Sequence, residues 1–164
     1  MTPADGSRSD RAPLPPVVRR LGWLHAANDF TLDFLTPLLP AGVPIAWLGL
    51  MEGVADGIGQ VLKLVTGRQS DASGRRVAWV AAGYSTNAIA RPLSGVGLLL
   101  GWPLWIVGCR IAERVGKGLR GSASDALVSD WVSPGDRARA YAHMRTMDHL
   151  GATAGAVAAA LTAW

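Results

Sequence analysis

Gly67-Arg-Gln-Ser-Asp71-Ala-Ser-Gly74-Arg75-Arg76 is a charged ten-residue turn set between two long apolar stretches, 45–66 and 77–96. About 20 residues of α-helix cross the ~30 Å hydrocarbon core of a bilayer. Both flanks reach that length, so the ten-mer is expected at a membrane surface. Its residue types suit a turn there. Gly67 lets a helix end, and Gly74 permits a backbone conformation that a side chain would block. Asp71 is placed to cap a following helix or to pair with a neighbouring arginine. Arg75 and Arg76 are suited to fixing orientation and meeting anionic headgroups.

Working outward, apolar stretches recur from Leu21 onward, and five spans are expected: 21–40, 45–66, 77–96, 103–132 and 139–164. The chain of 164 residues is 49% hydrophobic, but its mean hydropathy is only +0.22, because the polar head 1–20 lowers it. A soluble helical bundle is the alternative, and charge placement argues against it. Of the 16 Lys and Arg, nine lie outside or at the edge of the spans: Arg8, Arg11, Arg19, Arg20, Arg68, Arg75, Arg76, Arg137 and Arg139. All fall in the head, the second connection or the fourth. The connections 41–44 and 97–102 hold none. Alternate loops rich in Lys and Arg are the positive-inside pattern, which predicts a cytoplasmic N-terminus in a multi-pass protein of the cell membrane. The net charge of +4 therefore reflects membrane orientation, and no nucleic-acid partner is expected.

Residues 1–20 read as a cytoplasmic tail, disordered to about Pro16, with no apolar segment of the kind a cleaved signal peptide needs. Cys109 is alone, so no internal disulfide or cysteine-based metal site can form. The fourth span is too long for a bare crossing, and its part beyond about Lys117 is expected to leave the bilayer core. Gly49, Gly53 and Gly57, like Gly151, Gly155 and Ala159, are spaced four apart, so each set lies on one helix face and is expected to let backbones approach closely.

Charges within a bilayer cost about 2.5–3.5 kcal/mol each on insertion scales. Those that persist should face the bundle interior or water, pair with one another and mark function. At 100° per residue, Glu52, Asp56 and Lys63 lie within about 40° of one another. Arg110, Arg114 and Lys117 share a face with Glu113 beside it. Asp29 and Asp33 are one turn apart, as are Arg145 and Asp148. Buried pairing that only fixes helix packing is the plainer explanation for any single pair.

Three segments carry a family resemblance. Gly67-x-x-x-Asp71-x-x-Gly74-Arg75-Arg76 resembles the loop between the second and third helices of major facilitator superfamily transporters. Arg110-Ile-Ala-Glu-Arg114-Val-Gly-Lys117-Gly-Leu-Arg120, leading into Asp125-Ala-Leu127, resembles the fourth helix of a bacterial subgroup of that superfamily. Residues Arg137-Ala-Arg-Ala-Tyr-Ala-His-Met-Arg145-Thr-Met-Asp148-His-Leu-Gly151 resemble the subgroup's fourth loop and fifth helix, and Asn28-Asp29 and Glu52-Gly53 are similar to it too. There are departures. Gln69 stands where leucine is usual and Ala72 where arginine is; Ala123-Ser124 replaces Pro-Arg, and Gly155-Ala156 replaces Gly-Pro.

The resemblance implies an all-α, multi-pass transmembrane bundle, the N-terminal half of a secondary transporter working by alternating access around a midplane site. It implies that Asp71 engages charges at the inner ends of neighbouring helices and holds the outward-facing state. Arg110 matches an arginine associated with proton coupling. Asn28, Asp29, Asp33, Glu52, Asp56, Arg110, Glu113, Arg114, Lys117, Arg120, Asp125, Arg145 and Asp148 are the candidate coupling and substrate-path residues. The expected partners are the lipid bilayer, a small-molecule substrate, protons, and a C-terminal half or partner chain without which this polypeptide would not transport. A truncated, non-transporting membrane module, a sensor or assembly partner, is the alternative.

Enzyme motifs fail residue by residue. Asp56-Gly57 partly matches phosphatidyl-transferases, but Gly53 stands where their first Asp is required and the later aspartates are absent. Gly116-Lys117-Gly118 partly matches a phosphate loop, but Ile111 replaces its first Gly and Gly118 its Ser/Thr. His25, His143 and His149 are too scattered to form a metal site. No catalytic residue, metal or cofactor is expected.

Overall fold

The computed structural model describes residues 13–37 and 45–162. They form five helices: α1 Pro16–Leu35, α2 Ile45–Ser73, α3 Arg76–Leu100, α4 Pro103–Trp131 and α5 Arg137–Thr162, with a 3₁₀ turn Pro134–Asp136 before α5. No strand occurs among the described residues, so the expected all-α bundle is the fold. The outer edges of the first and fifth spans, 38–40 and 163–164, lie outside the described residues, as does most of the tail.

Three helix ends differ from expectation. Helix α1 starts at Pro16 rather than Leu21. Proline at the first helical position lacks only an N–H that would be unpaired there, and Val18, wholly buried, anchors that first turn in the core. The stretch 17–20 is thus helix, not tail. Helix α2 runs on through Gly67 to Ser73, so Gly67 does not end it. Ser70 Oγ donates to Gly67 O at 3.2 Å, and Thr66 and Ser70 are buried, which carries the helix past the glycine. The stop is Gly74, at φ 63°, whose N–H donates to Ser70 O at 3.0 Å; a left-handed residue there ends a helix. Helix α3 stops in the same way at Gly101, at φ 65°.

Helix α4 is the spine of the bundle. It packs along α3 on one side and α2 on the other, while α1 packs on α5 and touches the other helices lightly. Small residues set these crossings. A Cβ on Gly83 would lie 2.5 Å from the carbonyl oxygen of Gly116, and one on Gly118 would lie 2.7 Å from that of Gly59. Cβ atoms on Gly151 and Gly155 would run into the carbonyls of Ala26 and Phe30. The expected packing face of α5 is therefore real. The expected face of α2 is not: a Cβ on Gly49, Gly53 or Gly57 would meet nothing within 4 Å. Helix α2 turns Ala55 and Gly59 toward the bundle instead, which leaves that glycine row open.

Polarity is distributed inside out. Arg110 is 3% exposed and Glu113 4%, whereas Leu99 is 89% exposed and Leu104 86%. In a protein surrounded by water the ranking runs the other way. Among the described residues no helix is both long and apolar enough to cross a membrane, in contrast to the five apolar spans expected. Length is sufficient, at 20 to 29 residues per helix. Apolarity is not, because interior-facing residues such as Asn87 and Arg91 of α3 or Arg110, Glu113 and Arg114 of α4 interrupt each stretch.

An apolar cluster of Val18, Leu21, Val80, Leu127, Val128, Val132, Ala140 and Met144 closes the end of the bundle where α1, α3 and α5 begin and α4 ends. Above it the interior becomes polar, and the candidate site lies there.

Candidate functional site

Helices α1, α2, α4 and α5 enclose a cavity of about 960 Å³ whose walls carry Asp29, Asp33, Glu52, Asp56, Lys63, Arg110, Arg114, Lys117, Arg120, Asp125, Arg145 and Asp148. These helices place the charges because each turns one narrow polar stripe inward. The cavity gathers nearly all the candidate residues of the spans. Asn28 lies just behind it and Glu113 is buried beneath Arg110.

The pairing is specific. Arg110 Nη2 lies 2.7 Å from Glu52 Oε1 and Arg110 Nη1 lies 2.7 Å from Glu113 Oε2. Arg114 meets the other oxygen of Glu52, and its Nε lies 3.1 Å from Asp56. This five-residue network joins α2 to α4. Further along α4, Arg120 Nη2 lies 3.5 Å from Asp29 on α1, and its guanidinium stacks 4.7 Å above the Tyr84 ring. Asp29 also accepts from Asn28 Nδ2 at 2.9 Å, and Asn28 Oδ1 accepts from Asn87 Nδ2 at 3.2 Å. Arg145 reaches Asp148 at 3.5 Å.

Not every expected grouping forms. The ammonium of Lys63 does not join Glu52 and Asp56; its backbone carbonyl accepts from Ser122 Oγ at 2.9 Å. Asp33, Lys117 and Asp125 line the cavity but make no ion pair among the described residues. Asp125 contributes a backbone carbonyl, which accepts from Tyr141 at 2.9 Å.

The turn residues sit at the closed end, away from the cavity. Asp71 accepts from Arg76 Nη2 at 2.9 Å, and Arg76 Nη1 donates to Asp130 on α4. Asp71 caps nothing, since α3 begins after Arg75 without a side-chain cap. The hydrogen bond to Asp130, then that to Asp71, makes Arg76 hold its guanidinium proton more firmly than usual. Arg75 is exposed.

Several residues here carry no signal in the sequence. Asp130 belongs to no motif in the sequence, and His25 is read there only as a scattered histidine. In the fold His25 Nδ1 lies 2.8 Å from Asp148 Oδ1 and its Nε2 3.1 Å from Ser124 Oγ. These partners are 123 and 99 residues away in the chain, beyond the reach of any spacing rule. The order serine, imidazole, carboxylate is that of an activated nucleophile. Ser124, however, is only 1% exposed and sits mid-helix, where neighbouring N–H groups are committed to the helix and none is free to hold an oxyanion. A second cavity, about 970 Å³, is an apolar groove between α1 and α3.

Comparisons with known proteins agree with this architecture. The chain is 40% identical over 113 residues to uncharacterized proteins of Mycobacterium bovis and Mycobacterium tuberculosis, covering 65% of this chain and 26% of theirs. It is 30% identical over 140 residues to an uncharacterized MFS-type transporter of Methanocaldococcus jannaschii, covering 82% of this chain and 34% of that protein. The chain thus spans between a quarter and about a third of the length of these curated relatives. No solved structure matches it. The family model for the Major Facilitator Superfamily matches residues 22–164, nearly the whole of the bundle just described, and the chain belongs to that superfamily.

Proposed function

We propose that this chain is the N-terminal part of a secondary transporter that moves a small molecule across the cell membrane by alternating access, coupled to protons or another ion. Family membership supports a transport role and a membrane location. The observation that carries the reading further is the charged cavity between α1, α2, α4 and α5. So many ionisable side chains held inside a bundle with an apolar outer face are costly in a bilayer unless they serve a path for a polar solute.

In this reading the protein crosses the membrane several times with its N-terminus in the cytoplasm. Glu52, Asp56, Arg110, Glu113 and Arg114 hold α2 to α4 by exchangeable ion pairs, and Asn28, Asp29, Asp33, Lys117, Arg120, Asp125, Arg145 and Asp148 line the solute path. The Asp71–Arg76–Asp130 contact latches the cytoplasmic ends of α2, α3 and α4, and Gly74 with Arg75 gives the latch its turn. Rocking of helices against one another opens and closes the path.

The test is flux. The full-length natural protein is reconstituted in proteoliposomes containing a pH-sensitive dye and challenged with a panel of small polar solutes. A solute that accumulates, or that drives proton movement, in wild type and not in Arg110→Ala supports the reading. Absence of any solute-dependent flux across the panel, with the protein shown to be inserted and folded, counts against it.

A further inference from the structure

We propose that His25 is a proton-binding site of the cavity and that its charge state sets how firmly α1 is held to α5 and α4. Three helices are joined by hydrogen bonds at this one ring: α1 supplies the imidazole, α5 supplies Asp148 at 2.8 Å from Nδ1, and α4 supplies Ser124 at 3.1 Å from Nε2. The imidazole is 14% exposed and Asp148 17%, and both line the cavity. Water or solute in the cavity reaches the ring.

The partners dictate where protons sit. A carboxylate only accepts, so Nδ1 carries a hydrogen and donates to Asp148. In the neutral ring Nε2 is bare and accepts from the Ser124 hydroxyl. A proton arriving from cavity water binds Nε2. The hydroxyl then turns to accept from Nε2–H and directs its own hydrogen to a carbonyl of its helix, as helical serines do. One proton enters, one hydroxyl rotates, and no partner is lost. The neutral ring's hydrogen bond to the Asp148 carboxylate becomes an imidazolium–carboxylate ion pair, which adds the attraction of opposite charges to a bond already assisted by the carboxylate. Removing the proton reverses each step.

The surrounding charges fit a site that accepts either state. On α1, Asp29 follows one turn on. On α3, Tyr84 meets the ring edge-on at 5.9 Å. On α4, Arg120 stacks on Tyr84 and Asp125 adjoins Ser124. On α5, Arg145 shares Asp148 at 3.5 Å, and His149 lines the same cavity. Gly151 lets α5 approach the backbone of Ala26 closely, one residue from the ring. A change in ring charge is therefore felt directly at the α1–α5 crossing. The site itself needs no transport; only its use in coupling rests on the transporter reading.

The experiment is ¹⁵N NMR of histidine-labelled protein in lipid nanodiscs, with His25 assigned by its disappearance in His25→Gln and with His143 and His149 as internal references. The expected result is an Nδ1–H tautomer of the neutral ring that gains a second proton at Nε2 on acidification, with Ser124→Ala shifting the Nε2 resonance alone. Spin labels at Thr36 and Thr162, in a Cys109→Ala background, report the α1–α5 spacing. Their distance distribution should change over the same pH range in wild type and stay fixed in His25→Gln. An Nε2–H tautomer, a ring that stays neutral while the protein remains helical, or an equal pH response in His25→Gln would each overturn the proposal. If His25→Gln fails to insert, His25 is assigned as the signal that persists in His143→Gln and in His149→Gln, and Ser124→Ala decides on the Nε2 shift: a shift confined to that nitrogen supports the site, and an unmoved resonance removes it. These readouts are independent of solute flux, so failure of the site and failure of the transporter reading are separable.

Discussion

Arg110 on α4 and Glu52 on α2 face each other at 2.7 Å, with the arginine only 3% exposed. Arg110 answers two carboxylates at once, since Glu113 lies 2.7 Å from its other terminal nitrogen. Removing one partner of a buried pair is costly because it leaves a charge without an answer; the usual range is about 3–5 kcal/mol. Arg110→Ala should fall in that range by denaturation in detergent or lipid. Glu52→Gln should cost clearly less, because Arg110 keeps Glu113 and Arg114 keeps Asp56. Equal losses in the two variants would show that the network does not centre on Arg110. In the complete protein, Arg110→Ala should also lower flux or expression.

The two glycine rows predict opposite outcomes. Gly151→Ala drives a methyl group into the backbone of α1 at Ala26. Backbone cannot step aside as a flexible side chain can, so a loss of about 1–3 kcal/mol or more is expected. Gly53→Ala meets open space inside a helix, where alanine is favoured over glycine by about 0.5–1 kcal/mol. Thermal denaturation of the pair should move in opposite directions. A destabilised Gly53→Ala would mean that its face is covered in the native protein.

Gly67 and Gly74 differ in the same way within one turn motif. Gly74 sits at φ 63°, so Gly74→Ala should lower stability by about 1–2 kcal/mol. Gly74→Asn should recover part of it, because asparagine tolerates that region. Gly67 is mid-helix, and a Cβ there would lie 3.4 Å from Ser122 Oγ, so Gly67→Ala should be neutral or slightly stabilising. A larger loss at Gly67 than at Gly74 would contradict the helix boundary.

The latch should matter for function more than for stability. Asp71 and Asp130 are exposed at the surface, and such pairs add little because water and salt screen them. Asp71→Asn and Asp130→Asn should leave the melting temperature near that of wild type. In the full-length protein both should impair transport with insertion intact. Normal uptake in both variants would remove the gating role.

The sequence by itself determined that the described residues are helical, that they form five long helices, and which charged residues are candidates to line the cavity. Those properties are local: apolar runs of helical length, Pro103 at the start of the fourth span, and Gly74 able to take positive φ; the start of α1 at Pro16 was not legible, because burial of Val18 in the core decided it. It also determined the family, because the 67–76 turn and the Arg110–Arg120 run carry their pattern within a few residues. Where helix α2 ends was only partly legible. Gly67 and Gly74 look alike as letters, and burial of Thr66 and Ser70 chose between them. Which glycine row packs was not legible at all, since Gly49-x-x-x-Gly53 and Gly151-x-x-x-Gly155 have the same spacing and only the neighbouring helix distinguishes them. The meeting of His25, Ser124 and Asp148, and the bridge from Arg76 to Asp130, were decided by tertiary structure alone. A helix repeats every 3.6 residues, so sequence spacing fixes which side chains share a face. Which face meets which across a bundle depends on helix crossings set by close packing, and those join residues about a hundred positions apart.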